Sequence, residues 1–206
     1  YNEALKPGVQ DRDAYSRNAL LAAAQDYDSQ LDITGSGIMG YVRIPKISVT
    51  LPIYHGTGSN TLSAGIGHLL GSSLPIGGES THTVLTAHSG MASQKMFSDL
   101  DQLGEGDVFY LEVLDEVLAY QVDAINTVLP HDTTNLGITT GEDYCTLVTC
   151  TPFGVNTHRL LVRGSRILYE EAEEMVSSVS SEEAAASTWE EKYINGILTG
   201  LCIVGI

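Results

Sequence analysis

The sequence predicts a mostly β protein, a closed barrel or sandwich of seven or eight short strands with only minor helices. Three observations carry that expectation. β-Branched and aromatic residues recur in short runs, glycine-rich turns separate the runs, and only one long segment has helical character. With 206 residues, 21 of them glycine, the chain can build one good-sized core but not two full domains.

Taken in order, residues 14–31, "AYSRNALLAAAQDYDSQL", are the helical segment. Leu20, Ala24, Tyr27 and Leu31 fall at helical spacing, the alanines favour helix, and Ser16 is placed to cap it. After the break "TGSGIMG" comes "YVRIPKISVTLPIYHG", β-branched and punctuated by Pro45 and Pro52, as edge or bent strands are. "THTVLTAHSG" is a short apolar strand stopped by Ser-Gly. "SQKMFSDLDQL" reads as a short helix with Met96, Phe97, Leu100 and Leu103 on one side. "DVFYLEVLDEVLAYQVDAINTVL" reads as a hairpin turning near Asp115 and Glu116. "YCTLVTC" and "HRLLVRGSRILY" are two further strands.

The net charge of −16 argues against nucleic acid, which needs clustered Lys and Arg. Residues 170–192 hold eight acids and one lysine, so this stretch alone carries −7. The apolar run "YINGILTGLCIVGI" follows it. Fourteen residues are fewer than the roughly 20 that cross a bilayer. The run reads as the first part of a membrane anchor, held away from the domain by the acidic stretch; the alternative is a C-terminal helix packed on the core.

The three cysteines, Cys145, Cys150 and Cys202, form no disulfide framework. By strand alternation Cys145 and Cys150 point to opposite faces, which also speaks against a metal site built from Cys145, Cys150 and His158. A catalytic thiol needs an imidazole to take its proton and a cation or amide donors for the oxyanion. Of six histidines, His88 has the best claim, because it ends an apolar strand as Cys150 does. His55 and His131 adjoin turns and read as solvated, and His68 and His82 flank the glycine-rich connection. His158 would point away from the Arg159 face. Arg159 opens the strand expected to pair antiparallel with the Cys150 strand, and its forked guanidinium suits a developing oxyanion. A Cys-His-Asn arrangement with Asn156 is the rival; the chain lacks the long helix that papain-like proteases use to present their thiol.

"TLVTC" with an arginine nine residues on and an upstream strand-ending histidine resembles the sortases, cysteine transpeptidases of Gram-positive surfaces. "GIMGYVRIPKISVTLPIYHGT", "GIGHLLGSSLPIGGESTHTVLTAHSG", "FSDLDQLGEGDVFYLEVLDEVLAYQVD" and "TLVTCTPFGVNTHRLLVRGSR" are all similar to the class C, pilin-polymerising branch. Together they cover most of residues 37–166. The resemblance implies an eight-stranded barrel with His88, Cys150 and Arg159 at one rim. It implies cleavage of an LPxTG-like sorting signal between Thr and Gly through a thioacyl-enzyme, resolved by a lysine amine of another pilin subunit. No metal or cofactor is implied. Pilin sortases carry an N-terminal lid with an Asp-Pro-aromatic tripeptide, and Asp13-Ala14-Tyr15 corresponds, with alanine for proline, which leaves the backbone less pre-set. Ala87 and Ser89 stand where glycine and arginine are common.

The expected organisation is then a lid and helix over 1–35, the catalytic barrel over 36–169, an acidic linker over 170–192 and the start of a membrane anchor over 193–206. The expected location is the extracellular face of a Gram-positive cell membrane. The alternatives are a sortase that anchors proteins to peptidoglycan, a non-catalytic surface-binding barrel and a hydrolytic cysteine protease.

Overall fold

In a computed structural model of the chain, residues 1–5, 26–90 and 95–179 are described. The chain divides into two compact units, Tyr1–Tyr169 and Glu170–Ile206. Of the second, residues 170–179 are helical. The first is built on eight strands: β1 Ile38–Ile44, β2 Val49–His55, β3 Ile66–His68, β4 Thr81–Thr86, β5 Val108–Val113, β6 Glu116–Val128, β7 Asp143–Thr151 and β8 His158–Ile167. Two short helices, α1 Asn2–Leu5 and α2 Ser59–Ala64, accompany them.

The strands close into a barrel in the order β1-β2-β3-β4-β7-β8-β6-β5, so the sheet is a barrel and not a sandwich. β2 with β3 and β4 with β7 pair in parallel, and the other pairs are antiparallel. Inward residues of β1, β2, β4, β5, β7 and β8, among them Val42, Ile53, Leu85, Phe109, Leu147 and Val162, are fully buried in one core. Gly164 is required there. A Cβ on it would lie 2.7 Å from the Phe109 ring, which stacks on Tyr120 at 5.6 Å.

Several expected elements take other forms. The "YVRIPKISVTLPIYHG" run is two strands joined by a 3-10 turn at Pro45–Ile47, because proline fits the first position of such a turn. Pro52 stands just before the ladder with β3 begins at Ile53, so its missing N–H breaks no bond to that neighbour. Of the helix expected over 93–103, the described part, 95–103, is a set of turns with a 3-10 segment at Leu100–Gln102. Met96 has a left-handed φ of 43°, which an α-helix does not accept. The four apolar residues still turn inward, all at or below 4 % exposure. Most of the 14–31 segment lies outside the described residues; its last part is a 3-10 turn at Tyr27–Ser29 with Leu31 at φ 62°.

Tyr27 is tied to the barrel through a buried polar network. The His68 Nε2–H donates to the Ser73 carbonyl at 2.8 Å, so Nδ1 accepts from the Tyr27 hydroxyl, also at 2.8 Å. The Gly56 N–H donates to the same hydroxyl at 2.9 Å. Every partner suits a neutral imidazole, and burial lowers the His68 pKa to about 4. An unfolded histidine titrates near 6.5, so the unfolded chain takes up the proton first as pH falls. The stability held by neutral His68 is complete above about pH 6.5 and drains away towards pH 4, by on the order of 3 kcal/mol. The thermal midpoint is expected to fall over that window while the His68 ring NMR signals stay those of a neutral imidazole. A ring that titrates near 6.5 would show that the network does not hold it so. His55, read as solvated, is half-buried, with Nε2 2.7 Å from the Gln30 carbonyl.

Candidate active site

The parallel β4–β7 pair brings the C-terminal ends of both strands to one rim, and antiparallel β8 begins at that same rim. Cys150 is paired directly with Arg159. Directly opposed residues leave the same face of a sheet, so thiol and guanidinium project together. Thr86 pairs with Val148, and Val148 with Leu161, which puts Thr86, Val148, Cys150, Leu161 and Arg159 on this one face. It is the outer one. Val84, Val148 and Leu161 form an apolar cluster separate from the barrel core, with Leu69, Val128 and Leu136 packed against it. His88 follows β4 by two residues at this rim, and His88, Cys150 and Arg159 are all half-buried. Cys150 is a free thiol.

The second described thiol is ruled out by position. Cys145 is wholly buried in the barrel core, where desolvation pushes its pKa well above the ordinary value. A buried histidine lies near it along β4, but His82 is opposite Tyr144 and Thr83 is opposite Cys145, so imidazole and thiol stand on opposite faces. His82 has a different task. Its Nδ1 is 2.8 Å from the Gly137 carbonyl and its Nε2 2.7 Å from the Thr146 hydroxyl, which ties the β6–β7 connection, with Leu136 on it, over the outer face.

The Arg159 guanidinium is held at the mouth by backbone. Its Nη1 donates to the carbonyls of His158 at 3.0 Å and Asn156 at 3.3 Å. Among the described residues no carboxylate pairs with it, and Nε and Nη2 have no hydrogen-bond acceptor. Asn156 is a turn residue at φ 61°, its N–H bonded to the Pro152 carbonyl. It serves Arg159 through its carbonyl, not His88 through its amide, as a papain-like arrangement requires.

The stretch Ala87–Gly90 is stitched on two sides. Towards β7, the Ala87 N–H donates to the Val148 carbonyl at 3.1 Å and the Thr149 hydroxyl donates to the Ala87 carbonyl at 2.9 Å. The Ser89 hydroxyl then donates to the Cys150 carbonyl at 2.8 Å. Towards the 95–103 segment, the Phe97 N–H donates to the His88 carbonyl and the Gly90 N–H to the Ser98 hydroxyl, both at 3.0 Å. Gly90, at φ 78°, lets the Phe153 ring close on it, 3.0 Å from where a Cβ would stand. His88 is thus on a backbone anchored to the carbonyl of Cys150 itself. The clamp by Ser89 was not visible in the sequence, where nothing names its partner.

Among the described residues no group of three or more His, Cys, Asp or Glu could hold a metal ion. What the rim can do is acyl transfer: a thiol to attack, a guanidinium fork to meet an oxyanion, an imidazole for the leaving group's proton and an apolar face for an extended peptide. Asp13 and Tyr15 lie outside the described residues.

The sortase domain family matches residues 42–167. Over 70 % of its length the chain is similar to sortase C-1 from Actinomyces oris, at 51 % identity and a TM-score of 0.68, covering 81 % of that chain. It is also similar to the pilus-related sortase C of Group B Streptococcus, with 40 % identity and a TM-score of 0.65 over 82 % of this chain and 98 % of that one. Sortase A of Streptococcus agalactiae serotype III (strain NEM316) is 28 % identical over 159 residues, 76 % of this chain. The chain spans 60–63 % of the length of the curated relatives it matches.

Proposed function

This chain belongs to the sortase family, and we propose that it is a class C cysteine transpeptidase that joins pilin subunits. The observation that carries this reading is the direct pairing of Cys150 with Arg159 on the outer barrel face, beside His88. The resemblance to a pilus-related sortase supports the choice of pilin over other cell-surface proteins.

In this mechanism an LPxTG-like sorting signal lies extended along the outer face beside Cys150, with its apolar side chains against Leu69, Val128 and Leu136, the partly exposed residues that cover the buried Val84, Val148 and Leu161. Cys150 Sγ attacks the carbonyl between Thr and Gly. Nε and Nη2 of the Arg159 guanidinium donate hydrogen bonds to the oxyanion. His88, as imidazolium, protonates the departing glycine amine, leaving a thioester. A lysine amine of another pilin subunit resolves it to an isopeptide bond. The work is done at the extracellular face of a Gram-positive cell membrane, with the barrel over 36–169, a linker over 170–192 and an anchor beginning at 193. No helix of the described residues is long and apolar enough to cross a membrane, and 193–206 lies outside them.

Intact mass of the wild type after incubation with an LPxTG-type peptide tests the reading. An adduct carrying the peptide up to its threonine is expected; no adduct on either the wild type or the Asp13→Ala, Tyr15→Ala variant rejects the transpeptidase. Asp13 and Tyr15 belong to the proposal as lid residues. Replacing both by alanine should speed alkylation of Cys150, and equal rates would remove the lid. Ser89→Ala should slow thioacylation about five-fold, the worth of one neutral hydrogen bond of ~1 kcal/mol. Ser89→Thr, which keeps the hydroxyl, should recover most of it. A rate unmoved by Ser89→Ala would leave the clamp without influence on the thiol.

A further inference from the structure

Cys150 borders two surfaces. One is the apolar outer face already described. The other is a small cleft at the barrel mouth, floored by core residues Phe97 and Leu160 and edged by Ser98, Asp101 and Phe153. The two lie on opposite sides of β7, since Val148 and Leu161 face outward while Leu147 and Leu160 belong to the core. An extended peptide acylating Cys150 from the outer face therefore leaves the mouth cleft open.

Two features of the cleft stand open to solvent. The Phe153 ring is 69 % exposed although it reaches over Gly90 beside the nucleophile. The Asp101 carboxylate is solvent-exposed and has no ion-pair partner among the described residues. Its neighbour Asp99, by contrast, is taken up by Lys95 at 2.8 Å. A carboxylate beside an aromatic face suits a primary ammonium on an aliphatic stem, because charge meets charge while the stem covers the ring. The protein's net charge of −16 adds a long-range pull on such a group.

We propose that this cleft, with Asp101 and Phe153 at its edge, is the docking site for the acceptor amine, a lysine side chain. The proposal rests on the transpeptidase reading and adds to it the means by which amine outcompetes water for the thioester. The lysine enters as ammonium and sheds one proton to solvent. Its nitrogen then attacks the acyl carbon, the C–N bond forms, and the C–S bond breaks with its electron pair going to Sγ. The proton lost by the attacking nitrogen passes to His88 and from it to the thiolate. The cleft raises the local concentration of amine; it does no bond chemistry itself.

The test has two arms. In the first, enzyme, LPxTG-type peptide and Nα-acetyl-lysine methylamide are mixed, and the ratio of amide to hydrolysed product is read. Asp101→Asn is expected to lower that ratio about three- to five-fold, with the loss shrinking as salt is added. Phe153→Ala should lower it about three-fold, and Asp99→Asn should not move it. The second arm needs no peptide. Cys150 is modified by a cationic aminoethyl methanethiosulfonate and by its neutral methyl counterpart, and Asp101→Asn should cut the cationic-to-neutral rate ratio about three-fold. If wild type forms thioacyl adduct while Asp101→Asn leaves both ratios unchanged, the docking site is overturned and the transpeptidase stands. If neither wild type nor the Asp13→Ala, Tyr15→Ala variant forms adduct or amide, the transpeptidase reading falls and takes the docking site with it.

Discussion

Cys150→Ala is expected to leave no thioacyl adduct and to reduce turnover by at least about 10⁴-fold, with folding essentially unharmed. The thiol is half-buried on the outer face, so removing one sulfur forfeits little packing, on the order of 1 kcal/mol or less and a few degrees of thermal midpoint. No other described thiol can take over. Cys145 is sealed in the core, on the opposite face of β7, with its pKa pushed up by burial. Intact-mass detection of the peptide adduct together with a melting curve separates lost chemistry from lost fold. Adduct on a well-folded Cys150→Ala protein would move the nucleophile elsewhere.

Arg159→Lys is the second large effect, a loss of about 10²- to 10³-fold in kcat for acylation despite the conserved charge. The guanidinium spends Nη1 on the carbonyls of His158 and Asn156, and this fixes its plane while leaving the other arms to face an oxyanion. An ammonium has no such fork. If it bonds to the same carbonyls it has little left to offer, and if it does not, nothing orients it. KM for the peptide should change much less than kcat, since the contact forms chiefly as charge develops. A kcat within three-fold of wild type would take Arg159 out of the oxyanion role.

The candidate site was legible where local pattern sets long-range geometry. "YCTLVTC" and "HRLLVRGSRILY" are adjacent strands, and their antiparallel pairing around one turn fixes Cys150 against Arg159. The β5–β6 hairpin was readable for the same reason, with its turn at Leu114 and Asp115. What could not be read has tertiary causes. β3 is three residues long and ringed by glycine, too short for any periodicity to show. In "SQKMFSDLDQL" the burial of Met96, Phe97, Leu100 and Leu103 was readable, but spacing alone does not distinguish a full α-helix from the turns and 3-10 segment seen there. The bonds of His82 to Gly137 and of Ser89 to Cys150 join residues more than fifty positions apart. No local signal announces them.

In the proposed mechanism the parallel β4–β7 pair also decides when the thiol becomes reactive. Ala87 and Thr149 meet across 62 residues of chain, the kind of distant contact that forms slowly and only as the whole barrel closes. Until then His88 and Cys150 are unrelated side chains, one merely a histidine and the other merely a thiol. Reactivity is therefore a property of the finished barrel, so an emerging or half-folded chain carries no armed nucleophile.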